Sequence, residues 1–169
     1  QTDILAPPVP VAAESFSKGM AAAGNLMLAG TSNNNSLTGR VVAYLTEPAV
    51  VQMQVFSASD GVAGDSFGSV IAMDGNRAII AAPGRGSSYN RIPCLYAFTR
   101  STTTGLWSQA QKISIPGATS SSSSGNALAL DGTTIRPLQS SWRRAAIRVI
   151  IKRAARSARS TRRARSRAS

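Results

Sequence analysis

The chain has 169 residues and a net charge of +12, from nineteen Lys and Arg against seven Asp and Glu, with no histidine and a single cysteine. The missing histidine removes the commonest general base and every Ser-His or Cys-His nucleophile pair. Cys94 on its own forms no intrachain disulfide, no Cys/His cluster offers a zinc site, and no apolar run reaches the roughly 20 residues of a membrane-spanning helix.

The charge is unevenly placed. Residues 1–135 hold seven basic side chains (Lys18, Arg40, Arg77, Arg85, Arg91, Arg100 and Lys112) and all seven acidic ones, so the whole surplus of twelve lies in residues 136–169. The chain therefore reads as a neutral region followed by a polycationic tail.

Taken in order, residues 1–12 carry Pro7, Pro8 and Pro10 among small apolar residues, a composition for an extended lead-in. A start at Gln1, with neither Met nor a signal-like apolar core, fits a mature secreted protein or a trimmed chain. Residues 13–60 then offer four strands, at Gly19–Ala22, Leu26–Ala29, Val41–Leu45 and Val50–Phe56. Alternation in Val51-Gln52-Met53-Gln54-Val55 suits an outer strand with one wetted face. Residues 61–117 repeat the set, at Ser69–Met73, Arg77–Ala82, Cys94–Thr99 and Trp107–Ser114. Asp74-Gly75-Asn76 between two apolar runs marks a hairpin, and Pro83-Gly84 stops its second strand. Residues 118–135 open with a serine-rich insertion, Thr119 to Gly125, after which Asn126–Asp131 begins the pattern a third time. A second apolar strand should follow Ile135, and the chain instead reads Arg136-Pro137-Leu138-Gln139.

The self-similarity is residue by residue. About 51 positions apart, Phe16, Met20-Ala21, Gly24-Asn25 and Leu28-Ala29-Gly30 fall opposite Phe67, Ile71-Ala72, Gly75-Asn76 and Ile79-Ile80-Ala81. About 57 positions further on, Gly125 and Ala129-Leu130-Asp131-Gly132 match Gly68 and Ala72-Met73-Asp74-Gly75. Val41 to Thr46 falls opposite Cys94 to Thr99, and Gln52-Met53-Gln54 opposite Gln109-Ala110-Gln111. A period near 50 points to a propeller or an array.

These residues resemble the FG-GAP repeats of integrin-α-like β-propellers, with Phe67-Gly68 and Ala81-Ala82-Pro83 standing where the family has Phe-Gly and Gly-Ala-Pro. The resemblance spans about residues 13–135. The first repeat departs from it at Ser17 and at Gly30-Thr31-Ser32, and the third at Ser124. It implies an all-β fold: a partial β-propeller of two four-stranded antiparallel blades and the start of a third, followed by the basic tail. It also implies a non-enzymatic, extracellular or cell-surface interaction module. Phe16, Phe67 and Trp107 read as packing residues.

Integrin-like blades often hold calcium in a loop of alternating Asp or Asn, but Phe56 and Ala58 occupy the alternate positions before Asp60, so no metal or other cofactor is expected. The binding candidates lie on loops and in the tail. Tyr89, Asn90 and Arg91 occupy the long loop of the second repeat, where large side chains have little packing purpose. The alternative is a polyanion site (nucleic acid, acidic glycan or lipid) formed by Arg143, Arg144, Arg148, Lys152, Arg153, Arg156, Arg159, Arg162, Arg163, Arg165 and Arg167. The tail also reads as a non-native end to an interrupted propeller. Segment 142–155 has a composition for helix without a clean apolar stripe. Two blades and part of a third fall short of the four to eight that close a ring. The chain is then a piece of a longer propeller, a compact unit with covered edges, or, as the preferred expectation, a module that assembles with other chains through open blade edges.

Overall fold

The computed structural model describes residues 16–31, 38–84, 92–115, 118–119, 128–131, 134–137 and 147–148. Among these residues there are only strands, bends and turns, so the all-β expectation holds.

The first sheet orders β1 (Phe16–Ala23), β2 (Leu26–Thr31), β3 (Arg40–Leu45) and β4 (Val51–Phe56) side by side, each antiparallel to the next. The second repeats the meander with β5 (Val70–Asp74), β6 (Arg77–Ala82), β7 (Cys94–Arg100) and β8 (Trp107–Ser114). Both open with the same hairpin. Ala23 pairs with Leu26 around Gly24-Asn25, and Asp74 with Arg77 around Gly75-Asn76. Each glycine has a positive φ (59° and 54°), which the first central position of a type II′ turn requires. Each asparagine carbonyl then accepts a bond at the end of the third strand, from Thr46 N–H just past β3 to Asn25 at 2.9 Å and from Arg100 N–H to Asn76 at 2.8 Å.

That shared bond fixes the true correspondence of the third strands. Leu28 pairs with Ala43 and Ile79 with Ala97, so Val42 matches Tyr96 and Tyr44 matches Phe98. The sequence alignment of Val41 to Thr46 with Cys94 to Thr99 is one residue out of step. A slip of one sends every side chain to the opposite face, which apolar composition alone does not detect. The outer strands do correspond as aligned, because Gln54 faces Ala43 and Gln111 faces Ala97. A bulge in each leaves Met53 and Ala110 as the extra residue.

The sheets stand with their first strands adjacent, β1 against β5 and β5 against β9 (Leu128–Asp131), and pack face to face. Leu28, Val41 and Ala43 of the first sheet meet Ile71, Ala78, Ile80, Tyr96, Phe98 and Trp107 of the second, with Phe67 between them. The opposite face of the second sheet, through Ile79, Ala81, Leu95, Ala97 and Ile113, meets Leu128 and Leu130. Alternate residues of β6 and β7 thus serve two different interfaces, which is why both strands are apolar throughout.

The third sheet runs past Ile135. β10 (Thr134–Pro137) pairs with β9, and β11 (Ile147–Arg148) adds a third strand. The failure expected after Ile135 therefore does not occur at that point. Pro137 ends the strand, where proline costs no interior ladder bond. Ile147 and Arg148, in a segment whose composition suits helix, are held extended by pairing with Ile135 and Thr134. The result is a propeller-like module of two complete four-stranded blades beside a three-stranded sheet.

Candidate interaction site and the interblade connector

Residues 57–69 carry the chain from the outer strand of one blade to the inner strand of the next, and most of the polar structure gathers around them. Ser66 takes a left-handed conformation (φ 54°) and reverses the chain ahead of Phe67. Phe67 N–H donates to the Thr38 carbonyl of the first blade at 2.9 Å, and Gly68 N–H donates to the Ala81 carbonyl of the second at 3.1 Å. Gly84 N–H returns to the Asp65 carbonyl at 3.0 Å. The Phe-Gly and Ala-Ala-Pro segments are therefore bonded to each other, and the same loop is bonded to the neighbouring blade.

Phe67 is fully buried, with its ring centroid 5.6 Å from Tyr96 in an edge-on arrangement and 5.8 Å from Phe98. Phe56 of the first blade lies 4.8 Å from Phe98 and 6.4 Å from Trp107. This aromatic layer bears out the packing roles of Phe67 and Trp107. The side chain of Phe16 lies outside the described residues.

Residues 50–98 match the FG-GAP repeat family. Over that span the chain is similar to an FG-GAP repeat. No curated protein matches the chain. The matched span starts at β4 of the first blade and ends within β7 of the second, so the FG-GAP repeat straddles two sheets. Its two signature segments are those that the connector bonds together.

Beside the FG-GAP connector, Asp60 uses both carboxylate oxygens. Tyr96 Oη donates to Oδ1 at 2.9 Å, and Lys112 Nζ lies 2.6 Å from Oδ2 and 5.5 Å from the centre of the Tyr96 ring. Lys112 and Tyr96 hold the Asp60 carboxyl below the usual range. The bond to Asp60 raises Lys112, while burial raises Tyr96 and also the Cys94 thiol, which keeps that thiol protonated and a poor nucleophile. Asp65 Oδ2 accepts from Val62 N–H at 2.9 Å, closing a turn. Among the described residues no three His, Cys, Asp or Glu side chains form a group able to hold a metal ion.

The depressed Asp60 pKa implies stability that is present above the ordinary carboxylate range and lost as pH falls through the folded value. Asp60 and Lys112 are each close to half exposed, so the contribution is under about 1 kcal/mol. Asp60→Asn is expected to be that much less stable than the parent chain at pH 7 in urea titrations, with the gap closing as the pH falls below the ordinary carboxylate range. A gap that persists or widens at low pH would contradict the ion pair.

Gln54 makes a second cross-blade contact. Its amide accepts from Trp107 N–H at 2.7 Å and donates to the Trp107 carbonyl at 3.0 Å, capping the start of the outer strand in the next blade. Gln109 similarly grips Ser59, accepting from its N–H and donating to its Oγ, both at 3.0 Å. Gln54 reads as part of the wetted face of an alternating strand, yet its side chain ties one blade to the next.

Tyr89, Asn90 and Arg91 lie outside the described residues. So do Arg143, Arg144, Lys152, Arg153, Arg156, Arg159, Arg162, Arg163, Arg165 and Arg167. Arg148 is described by its backbone alone, in β11. No helix among the described residues is long and apolar enough to cross a membrane.

Proposed function

We propose that the chain is a non-enzymatic, extracellular or cell-surface interaction module that assembles with other chains through its open blade edges. The observation that carries this reading is the set of outer strands: among the described residues each sheet ends in a strand paired on one side, and β4 carries exposed apolar side chains. Open rows of this kind are templates for strand addition. The connector supports a structural role as well, because Asp60, Tyr96 and Lys112 satisfy one another. The FG-GAP resemblance is the support for the extracellular setting.

The location of the charge favours a second reading, in which residues 136–169 bind a polyanion. The two readings respond oppositely to salt. Phosphate neutralisation releases condensed counterions and weakens steeply with ionic strength, whereas strand pairing and apolar contact screen little. Sedimentation velocity of the full chain is expected to show assembly that survives 0.5 M salt and deletion of residues 149–169, while retention on heparin disappears with either change. Assembly that needs the tail and dissolves in salt would overturn the edge reading and leave the polycation as the functional element.

A further inference from the structure

We propose that Gln111 clamps a fourth strand onto the third sheet, and that the strand is supplied by this chain's own residues after β11, beginning between residues 153 and 156.

The outer strand of each complete blade carries two glutamines two positions apart, Gln52 and Gln54 in β4 and Gln109 and Gln111 in β8. Residues two apart in a regular strand share a face, but the bulges at Met53 and Ala110 send the members of each pair to opposite faces. The face each takes follows from its cross-strand partner, since paired residues lie on the same side of a sheet. Gln54 lies across from Ala43 and Gln109 across from Phe98, both in the core between the first two sheets. Those are the two that reach across, to Trp107 and to Ser59. Gln111 lies across from Ala97, on the face that meets Leu128 and Leu130 of the third sheet. Gln52 lies across from Tyr44, on the far face of the first sheet.

Gln111 thus stands to the third sheet as Gln54 stands to the second. Gln54 holds both the N–H and the carbonyl of Trp107, the first residue of a fourth strand. Among the described residues the third sheet has only three strands, and the exposed side chain of Gln111 has no hydrogen-bond partner. A clamp on backbone groups asks only that the residue it holds has an N–H, and residues 149–169 contain no proline.

Connectivity names the occupant. In both complete blades the fourth strand directly follows the third in the chain. The residue across from Leu45 is Val51, six positions on, and the residue across from Thr99 is Ser108, nine on. Arg148 holds the corresponding place in β11, because Thr134 pairs with it as Leu26 pairs with Leu45 and Arg77 with Thr99. The same spacing puts the residue across from Arg148 between 154 and 157, and the clamped residue one before it. A strand of six to eight residues, the lengths of β4 and β8, then fits within the 169-residue chain. β4 and β8 are exposed along most of their length, so an outer strand accepts the arginines of this stretch. Charge on an outermost strand also discourages further pairing. A segment tethered by so short a link competes at millimolar effective concentration, well above what a second copy reaches in dilute solution.

Amide hydrogen exchange of the full-length chain, read residue by residue by NMR, tests the assignment. A protected run of six to eight residues should begin between 153 and 156, and its protection should be unchanged by about tenfold dilution. Gln111→Ala alters an exposed side chain and should keep the circular dichroism of the parent chain. It is expected to speed exchange at the first protected amide at least about tenfold. Gln52→Ala, which faces the other way, should leave the same amides unchanged. Three results overturn the proposal: exchange after residue 148 at the rate of an unfolded peptide, protection that falls on dilution and so assigns the strand to another copy, or protection that Gln111→Ala leaves intact.

Discussion

Replacing Phe67 with alanine is expected to destabilise the chain by about 3–5 kcal/mol, the usual cost of emptying a buried aromatic site. The side chain has no exposed surface and stands between the blades, its ring against Tyr96 and Phe98 and its backbone bonded to Thr38. The cavity cannot easily collapse, because its walls are sheets held by their own ladders. A loss of this size is a large part of the stability of an ordinary domain, so the expected readout is a marked fall in the urea midpoint. Leu106→Ala serves as the control: Leu106 is 49% exposed, and its truncation should stay within about 0.5 kcal/mol. A cost below about 1 kcal/mol for Phe67→Ala would mean that the ring does not hold the two blades together.

The same residue shows how much of the fold was legible in the chain. Phe67, the Gly-Asn turns and the strands Arg77–Ala82 and Trp107–Ser114 stand where the sequence pattern puts them, because turn chemistry and apolar runs are local. The register of β7 was not legible. Val42 and Leu95 are both apolar and buried, and only the pairing of Leu28 with Ala43 and of Ile79 with Ala97 shows that they face different neighbours.

The connector contacts were hidden for another reason. Asp60 finds Tyr96 and Lys112 from 36 and 52 residues away, and Gln54 reaches Trp107 across 53. No local motif records such pairs. The strand formed by Ile147 and Arg148 was hidden in turn by a composition suited to helix, since tertiary pairing overrides weak local preference. As for the site, the open edge of an outer strand could be anticipated from a blade count, but which glutamine caps the next blade could not. It depends on the bulges at Met53 and Ala110.

Gly30→Ala tests the approach of the blades where no side chain is present to adjust. A Cβ on Gly30 would overlap the carbonyl oxygen of Gly68 and lie within 3 Å of its carbonyl carbon and Cα, all of them backbone atoms. Gly30 does not have a positive φ, so alanine suits its own backbone and the whole penalty is steric. Gly68 cannot retreat freely, because its N–H is bonded to Ala81 and its φ of 88° belongs to glycine.

The blades must therefore separate, at a cost of about 3 kcal/mol or more, the upper end of what overpacking exacts. Gly24→Ala is the opposite case, with φ at 59° and nothing within 4 Å of the added carbon. Its cost should be the left-handed backbone penalty alone, about 1–2 kcal/mol. Trp107 reports the difference, since it lies in the layer between the blades. With Trp142→Phe as background, Gly30→Ala should shift the Trp107 emission to the red as water enters that layer, and Gly24→Ala should leave it unchanged. Should Gly24→Ala prove the costlier substitution, or Gly30→Ala leave both stability and emission unaltered, the blades do not meet at Gly68 and the FG-GAP connector does not set their spacing.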